Sequence, residues 1–227
     1  MRVFLNGGGD GANAEEAYQL FGAEAGKAKP LLYVPLAMEQ ETYPSCFSWI
    51  TGELESLGVK IEMVHSGEEL AGLDLSHFGG IFIGGGNTYK LLYELKESGA
   101  LLKLTEYLKA GGPVFGGSAG AIILGADIDT CRYADENLAG LSDTAGIDVL
   151  SGISLLCHYG NEDEEITQRH TTHLLGLSQS GRRILALPEE DTVVLNGEKA
   201  EVIGTRPYYL FQEGRQIECL PGPLPKI

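Results

Sequence analysis

The sequence predicts a doubly wound α/β fold: a mostly parallel sheet with helices on both faces and antiparallel hairpins at the C-terminal end. Three observations predict it. Short apolar runs alternate with stretches of helical composition through the first half of the chain. Glycine-rich loops directly follow the first, fourth and fifth of those runs, and ligands of parallel sheets bind at the carboxyl ends of the strands. The last quarter changes to short strand-like runs with Asn196-Gly197 and Glu213-Gly214 as turns.

Taken in order, Arg2–Asn6 is a strand that ends in Gly7-Gly8-Gly9-Asp10-Gly11, and Glu15–Gly26 has helical composition with Gly26 as its stop. Gly7, Gly9 and Ala12 satisfy a loose Gly-x-Gly-x-x-Ala dinucleotide fingerprint, but the second strand, Leu31–Leu36, lacks the terminal acid that would hold a ribose. The glycines are therefore read as a loop lining the cleft. Tyr43–Leu57 carries Phe47, Ile50, Leu54 and Leu57 at a spacing that covers one helix face. Val59–Val64 is the third strand, Ser66–Leu70 starts a helix, and Gly80–Ile83 is the fourth strand, running into Gly84-Gly85-Gly86-Asn87-Thr88. Thr88–Lys96 and Leu101–Lys109 read as two helices split near Gly99, before the fifth strand at Pro113–Gly117. Ala119–Leu124 is a short helix, and 126–147 is a long irregular connection rich in acids. Ile153–Cys157 is an apolar strand, and Ile166–Leu177 is the body of a helix with an acidic start at Glu162–Glu165. Arg183–Leu187 reads as one more sheet strand before the hairpins.

One core is the default for 227 residues, so a single domain spanning 1–227 is expected. A composition with 43% hydrophobic and 21% charged residues excludes disordered and membrane classes. No apolar run approaches the ~18 residues of a membrane span. The chain starts on the strand-like Arg2-Val3-Phe4-Leu5 without a secretory signal's basic and apolar regions, so a cytoplasmic protein is expected. A net charge of −16 with no basic cluster argues against nucleic acid as a partner and against anionic membranes. Cys46, Cys131, Cys157 and Cys219 show no Cys-x-x-Cys spacing, so buried thiols are expected and no metal site or disulfide framework is indicated. Cys157 stands out because it precedes His158.

The chemistry centres on Gly116-Gly117-Ser118-Ala119-Gly120, which fits the Gly-x-Ser-x-Gly elbow that exposes a serine hydroxyl between a strand and a helix. The backbone amides at the start of that helix, first among them Ala119, are placed to hold the charge that develops on an attacked carbonyl. A serine nucleophile needs a base, and usually an acid to orient it. His158, directly after an apolar strand, is the best candidate base, because that strand's end should lie at the same sheet edge as Ser118; His65, after the third strand, is the second choice. His170 and His173 stand one turn apart in a helix and read as a solvated face rather than half of a metal site, and His77 lies in a loop with no partner signal.

Gly84-Gly85-Gly86-Asn87-Thr88, then Gly117-Ser118-Ala119-Gly120-Ala121, then an apolar strand into His158, then Leu187-Pro188-Glu189 before a hairpin, together resemble peptidase E, the aspartyl dipeptidases. The resemblance runs from the first strand to about Gly204. It also takes in the cyanophycinases and implies a class I glutamine amidotransferase-like fold. It implies Ser118 as nucleophile, His158 as base, the Gly86 and Ala119 amides as oxyanion hole, and no cofactor. Asn87 and Arg169 are implied as substrate-binding residues, with Arg132 a second choice of cation for an aspartate side chain. The family's third triad member is an acid between serine and histidine, usually preceded by Asn. The matching window here is Tyr133-Ala134-Asp135-Glu136-Asn137, so the acid is Asp135 or Glu136, with Glu136 preferred.

The expected activity is a serine peptidase acting on short peptides through an acyl-enzyme, with dipeptides bearing an N-terminal Asp as the substrate class the resemblance implies. The acids at 162–165 favour a free amino terminus on the substrate. The alternatives are a carboxylester hydrolase of α/β-hydrolase type and a catalytically silent ligand-binding homologue. The sequence is compatible with a homodimer.

Overall fold

The structure, a computed structural model, describes residues 2–224. Its first five strands are β1 (Arg2–Asn6), β2 (Leu31–Val34), β3 (Ile61–Met63), β4 (Gly80–Ile83) and β5 (Val114–Gly117). They pair in parallel in the order β1-β5-β4-β2-β3. The chain then forms β6 (Ile153–Leu156), β7 (Arg183–Ala186), β8 (Thr192–Asn196), β9 (Lys199–Ile203), β10 (Tyr208–Gln212), β11 (Arg215–Cys219) and β12 (Gly222–Pro223). The helices are α1 (Glu15–Ala25), α2 (Tyr43–Glu53), α3 (Gly67–Gly72), α4 (Thr88–Glu97), α5 (Ala100–Lys109), α6 (Ala119–Ile122) and α7 (Glu164–Gln179).

The strands of the parallel block are apolar on both faces, as burial between two helical layers requires. Phe4, Leu31, Tyr33, Phe82 and Phe115 point to one side, where Ala17, Tyr18 and Phe21 of α1 and Ile50 of α2 cover them. Phe82 and Phe115 stack there with ring centroids 4.6 Å apart. Val3, Leu5, Leu32, Val34, Ile81, Ile83 and Val114 point to the other side, against α3, α4, α5 and α6. The period-two alternation of each strand thus feeds two cores. Caps set the helix starts: Ser66 Oγ accepts from the Glu69 amide, Asn87 Oδ1 from Lys90 and Asp163 Oδ1 from Ile166.

The C-terminal third departs from the expected single sheet. β8 adds antiparallel to β1, and β9 and β12 continue the main sheet outward. β6 and β7 instead pair in parallel with each other and join β10 and β11 in a separate four-stranded sheet. β1 is hydrogen-bonded on one side to β5 and on the other to β8, so β6 has no place beside β1. The second sheet packs into the same core as α6, through Leu155, Ile184, Leu185 and Phe211, with α7 lying on it through Leu174. The sheet positions of Ser118 and His158 therefore differ from expectation, since the two residues end strands of different sheets. Among the described residues no helix is long and apolar enough to cross a membrane.

Candidate active site

Ser118 occupies the corner between β5 and α6 with φ 51° and ψ −113°. That backbone is costly for a residue with a side chain, of order 1–3 kcal/mol, and such strain concentrates at functional positions. Close packing makes the corner possible. A β-carbon on Gly120 would lie 2.2 Å from the Ile83 carbonyl oxygen, and one on Gly116 would lie 2.5 Å from that of Gly120. The Ser118 amide donates to the Asn6 carbonyl and its own carbonyl accepts from Ala121 and Ile122, so both peptide planes of the corner are held.

His158, one residue beyond the end of β6 after Cys157, also has a positive φ of 59°. Its amide donates to the Gly7 carbonyl at 2.9 Å, which ties the end of the second sheet to the loop after β1. That bond carries the imidazole across to Ser118, whose Oγ lies 2.8 Å from Nε2. On the opposite side of the ring, Nδ1 lies 2.8 Å from Oε1 of Glu189, in the loop between β7 and β8. A carboxylate accepts only, so Nδ1 carries the proton and Nε2 is left as the acceptor for the Ser118 hydroxyl. Parallel pairing explains why base and acid meet: Leu156 of β6 is in register with Ala186 of β7, so both chains leave their strands at the same edge.

The loop after β1 is the floor of this arrangement. Asn6 is fully buried, accepts from the Gly8 amide through Oδ1 and donates through Nδ2 to Thr192 Oγ1. The Gly7 and Gly9 amides donate to the carbonyls of Asp191 and Glu189. Gly8, with φ 110°, lies flat against the imidazole. These glycines line the cleft and seat the histidine.

The loop after β4 passes on the other side of Ser118, where a β-carbon on Gly85 would sit 3.2 Å from that of Ser118. The amides of Gly86 and Ala119 find no acceptor among the described residues. Cys157 is buried, its thiol against the carbonyls of Asn6 and Ser118. Burial pushes its pKa well above the ordinary thiol value.

The carboxylate against His158 is not the one expected. Asp135 accepts from the Thr88 amide at 2.8 Å, at the start of α4, and Glu136 is exposed, with its carbonyl taken by Asn87 Nδ2. Both belong to a segment that braces the loop carrying Gly86. Asn87 is not a free substrate ligand either, because Oδ1 caps α4 and Nδ2 binds Glu136. Glu189 was visible within Leu187-Pro188-Glu189, but an acid following the histidine in sequence lies outside the serine-acid-histidine order that the reading assumed.

Arg169, on α7, reaches Glu165 at 3.4 Å and lines a cavity of about 640 Å³ with Arg132, Tyr133 and His173. Arg132 is held by two bonds to Asp129 Oδ1, of 2.8 and 2.7 Å. His65 lies far out on the surface beside Glu69, and His77 beside Asp74. His170 and His173 are not the solvated face expected of them. His170 is buried with Nδ1 3.3 Å from Glu162, and His173 Nε2 lies 2.7 Å from the Asp129 carbonyl. Among the described residues no three His, Cys, Asp or Glu side chains gather as a metal site would require.

The chain is similar to known proteins in sequence and in fold. The model of peptidase family S51 matches residues 3–203. Peptidase E of Pasteurella multocida (strain Pm70) is 29% identical over 203 residues, covering 86% of this chain and 83% of that protein. An uncharacterized peptidase of Listeria monocytogenes is 31% identical over 188 residues, covering 79% and 87%. Among solved structures, a protein of Listeria monocytogenes EGD-e designated a candidate peptidase E superposes with a TM-score of 0.72 at 24% identity, over 90% of this chain and 98% of that one. A peptidase from an acI-B1 actinobacterium gives 0.73 at 15% identity, over 96% and 93%. At those identities the structural likeness establishes the fold.

Proposed function

Because the chain belongs to peptidase family S51 and is a serine-type peptidase, we propose that it hydrolyses short peptides through an acyl-enzyme on Ser118. The observation that carries this reading is the unbroken relay from Ser118 Oγ to His158 Nε2 and from His158 Nδ1 to Glu189 Oε1, each contact 2.8 Å. His158 takes the hydroxyl proton as Oγ attacks the scissile carbonyl, and Glu189 holds the imidazolium that forms. The Gly86 and Ala119 amides, with no acceptor among the described residues, receive the oxyanion. The imidazolium then gives its proton to the leaving amine, and water reverses the sequence to release the acyl group.

For specificity, the reading is a dipeptide with a free amino terminus and an N-terminal aspartate. Two arginines line the cavity beside α7, and Arg132 is already bound at two points to Asp129. Arg169 has one long, exposed contact among the described residues, to Glu165, and in this reading it is the cation that grips the carboxylate. The acids 162–165 favour the substrate ammonium.

The test has two parts. A fluorophosphonate probe should label wild type at Ser118 and leave Ser118→Ala unlabelled; labelling elsewhere would remove the nucleophile. Hydrolysis of Asp-Leu, Leu-Leu and amino-blocked Asp-Leu should then be compared in wild type and Arg169→Met. Faster cleavage of Leu-Leu than Asp-Leu by wild type would overturn the aspartyl assignment.

A further inference from the structure

Glu189 sits in a loop and its carboxylate is about one-third exposed, so packing alone does not fix it against His158. Beside the Gly9 amide, which holds the Glu189 carbonyl, the turn on the far side of the histidine fixes it. After β6 the chain turns so that the Asn161 amide donates to the His158 carbonyl at 3.1 Å. The Asn161 side chain then crosses to the loop between β7 and β8. Its Oδ1 accepts from the Glu189 amide at 2.9 Å, and its Nδ2 donates to Glu190 Oε2 at 3.1 Å. The two partners set the orientation of the side-chain amide, since a backbone N–H needs the oxygen and a carboxylate needs the NH₂.

Arg206 closes the same gap a second time. Its guanidinium lies 3.4 and 3.5 Å from the two Glu190 oxygens and donates to the Gly160 carbonyl at 3.3 Å. Burial pushes the Glu190 carboxyl up, but the Asn161 and Arg206 contacts outweigh it and hold the pKa below its ordinary value. Glu190 is therefore a charged anchor at neutral pH.

We propose that Asn161 is a positioning residue that fastens His158 and Glu189 into one unit, acting through Glu189 without touching substrate. The inference rests on the reading of Glu189 as the acid that orients His158. Without Asn161 the Glu189 amide loses its acceptor and the Glu190 carboxylate loses a donor; the Gly9 bond to the Glu189 carbonyl and the Arg206 contact to Glu190 still hold the loop, but the Glu189 carboxylate shifts against Nδ1.

The experiment is a double-mutant cycle read by the rate of fluorophosphonate labelling of Ser118, resolved into its maximal rate and its half-saturating concentration. Asn161→Ala should lower the maximal rate by roughly 10- to 100-fold, as small misplacements of catalytic groups do, with the half-saturating concentration within about threefold. In a Glu189→Gln background the same change should cost less than about threefold, because residues acting through one another are not additive. An equal loss in both backgrounds would overturn the proposal. Wild-type labelling by Glu189→Gln would instead overturn the assignment of Glu189, which separates the two failures.

If Asn161→Ala does not fold, an exchange of polarity tests the same point. Asn161→Asp alone sets two carboxylates against each other and should be slow. Adding Glu190→Gln supplies a donor at 190 for the new carboxylate and should recover at least tenfold, an estimate from the strength of charge-assisted hydrogen bonds. No recovery in a folded double variant would also overturn the proposal.

Discussion

The imidazole of His158 and the α-carbon of Gly8 are so close that a β-carbon on Gly8 would lie 2.1 Å from ring atom Cε1 and 2.5 Å from Nε2. Gly8→Ala must therefore displace the ring, and its φ of 110° adds backbone strain. The expected outcome is a loss of roughly 100-fold or more in Ser118 labelling, since displacements of about 1 Å cost that much. Circular dichroism should still report a folded protein. A variant that labels at the wild-type rate would mean that the ring is not confined where the contacts place it.

Three carboxylates can be compared in one assay. Glu189→Gln removes the charge that faces Nδ1 and can present an amide donor there, so hydrolysis should fall by ~100- to 10⁴-fold. Glu136→Gln should stay within about twofold, the usual outcome for an exposed side chain with no bonded role. Asp135→Ala leaves the Thr88 amide without its acceptor and should lower stability by about 0.5–2 kcal/mol, the ordinary cost of losing a helix N-terminal contact. A larger activity loss in Glu136→Gln than in Glu189→Gln would reverse the assignment.

Asp191 gives a pH signature in stability. It is fully buried, its Oδ1 accepts from the Thr205 and Arg206 amides, and Oδ2 has no partner among the described residues. Burial pushes its carboxyl from 3.8 up to about 6, although the two amides pull the other way. A carboxyl whose pKa is raised on folding favours the folded state while protonated. That contribution is complete below the unfolded value near 4 and is lost as pH rises through about 6. Asp191→Asn keeps the acceptor and removes the charge. Its stability relative to wild type should become more favourable by roughly 2–3 kcal/mol between pH 4 and pH 8, on the scale of about 1.4 kcal/mol per pKa unit. Parallel stability curves in urea titrations across that range would contradict it.

Thiol reactivity should divide the cysteines in two. Cys131 and Cys157 are buried and burial raises both thiols far from the thiolate form, whereas Cys46 and Cys219 are partly exposed. Iodoacetamide should modify only Cys46 and Cys219 in the native protein and reach all four after denaturation, as read by mass spectrometry. Native modification of Cys157 would show that the floor under Ser118 opens.

The parallel block was legible because its strands carry apolar residues on both faces, and glycine loops mark three of their ends. Ser118 was legible for the same reason: a tight elbow needs Gly116 and Gly120 whatever else surrounds it. Pairing between sheets was not legible, because β6 and β7 have the same apolar character that a main-sheet strand would have. Glu189 was missed on chain order. Nothing local distinguishes it from Glu190 beside it. Only the folded loop makes the difference: there Glu189 meets His158, and Glu190 meets Asn161 and Arg206.

β1 lies between β5 and β8, with Val3 opposite both Val114 and Leu195. β1 is therefore enclosed on its second flank only when the distant β8 has joined it. Until residues beyond 190 are available, one flank of β1 is bare, Glu189 has no settled place, and the carbonyl of Asp191 cannot steady Gly7. Pairings so distant along the chain also form slowly. The contacts that seat His158 between Ser118 and Glu189 therefore close only once residues 189–191 are in place beside the loop after β1.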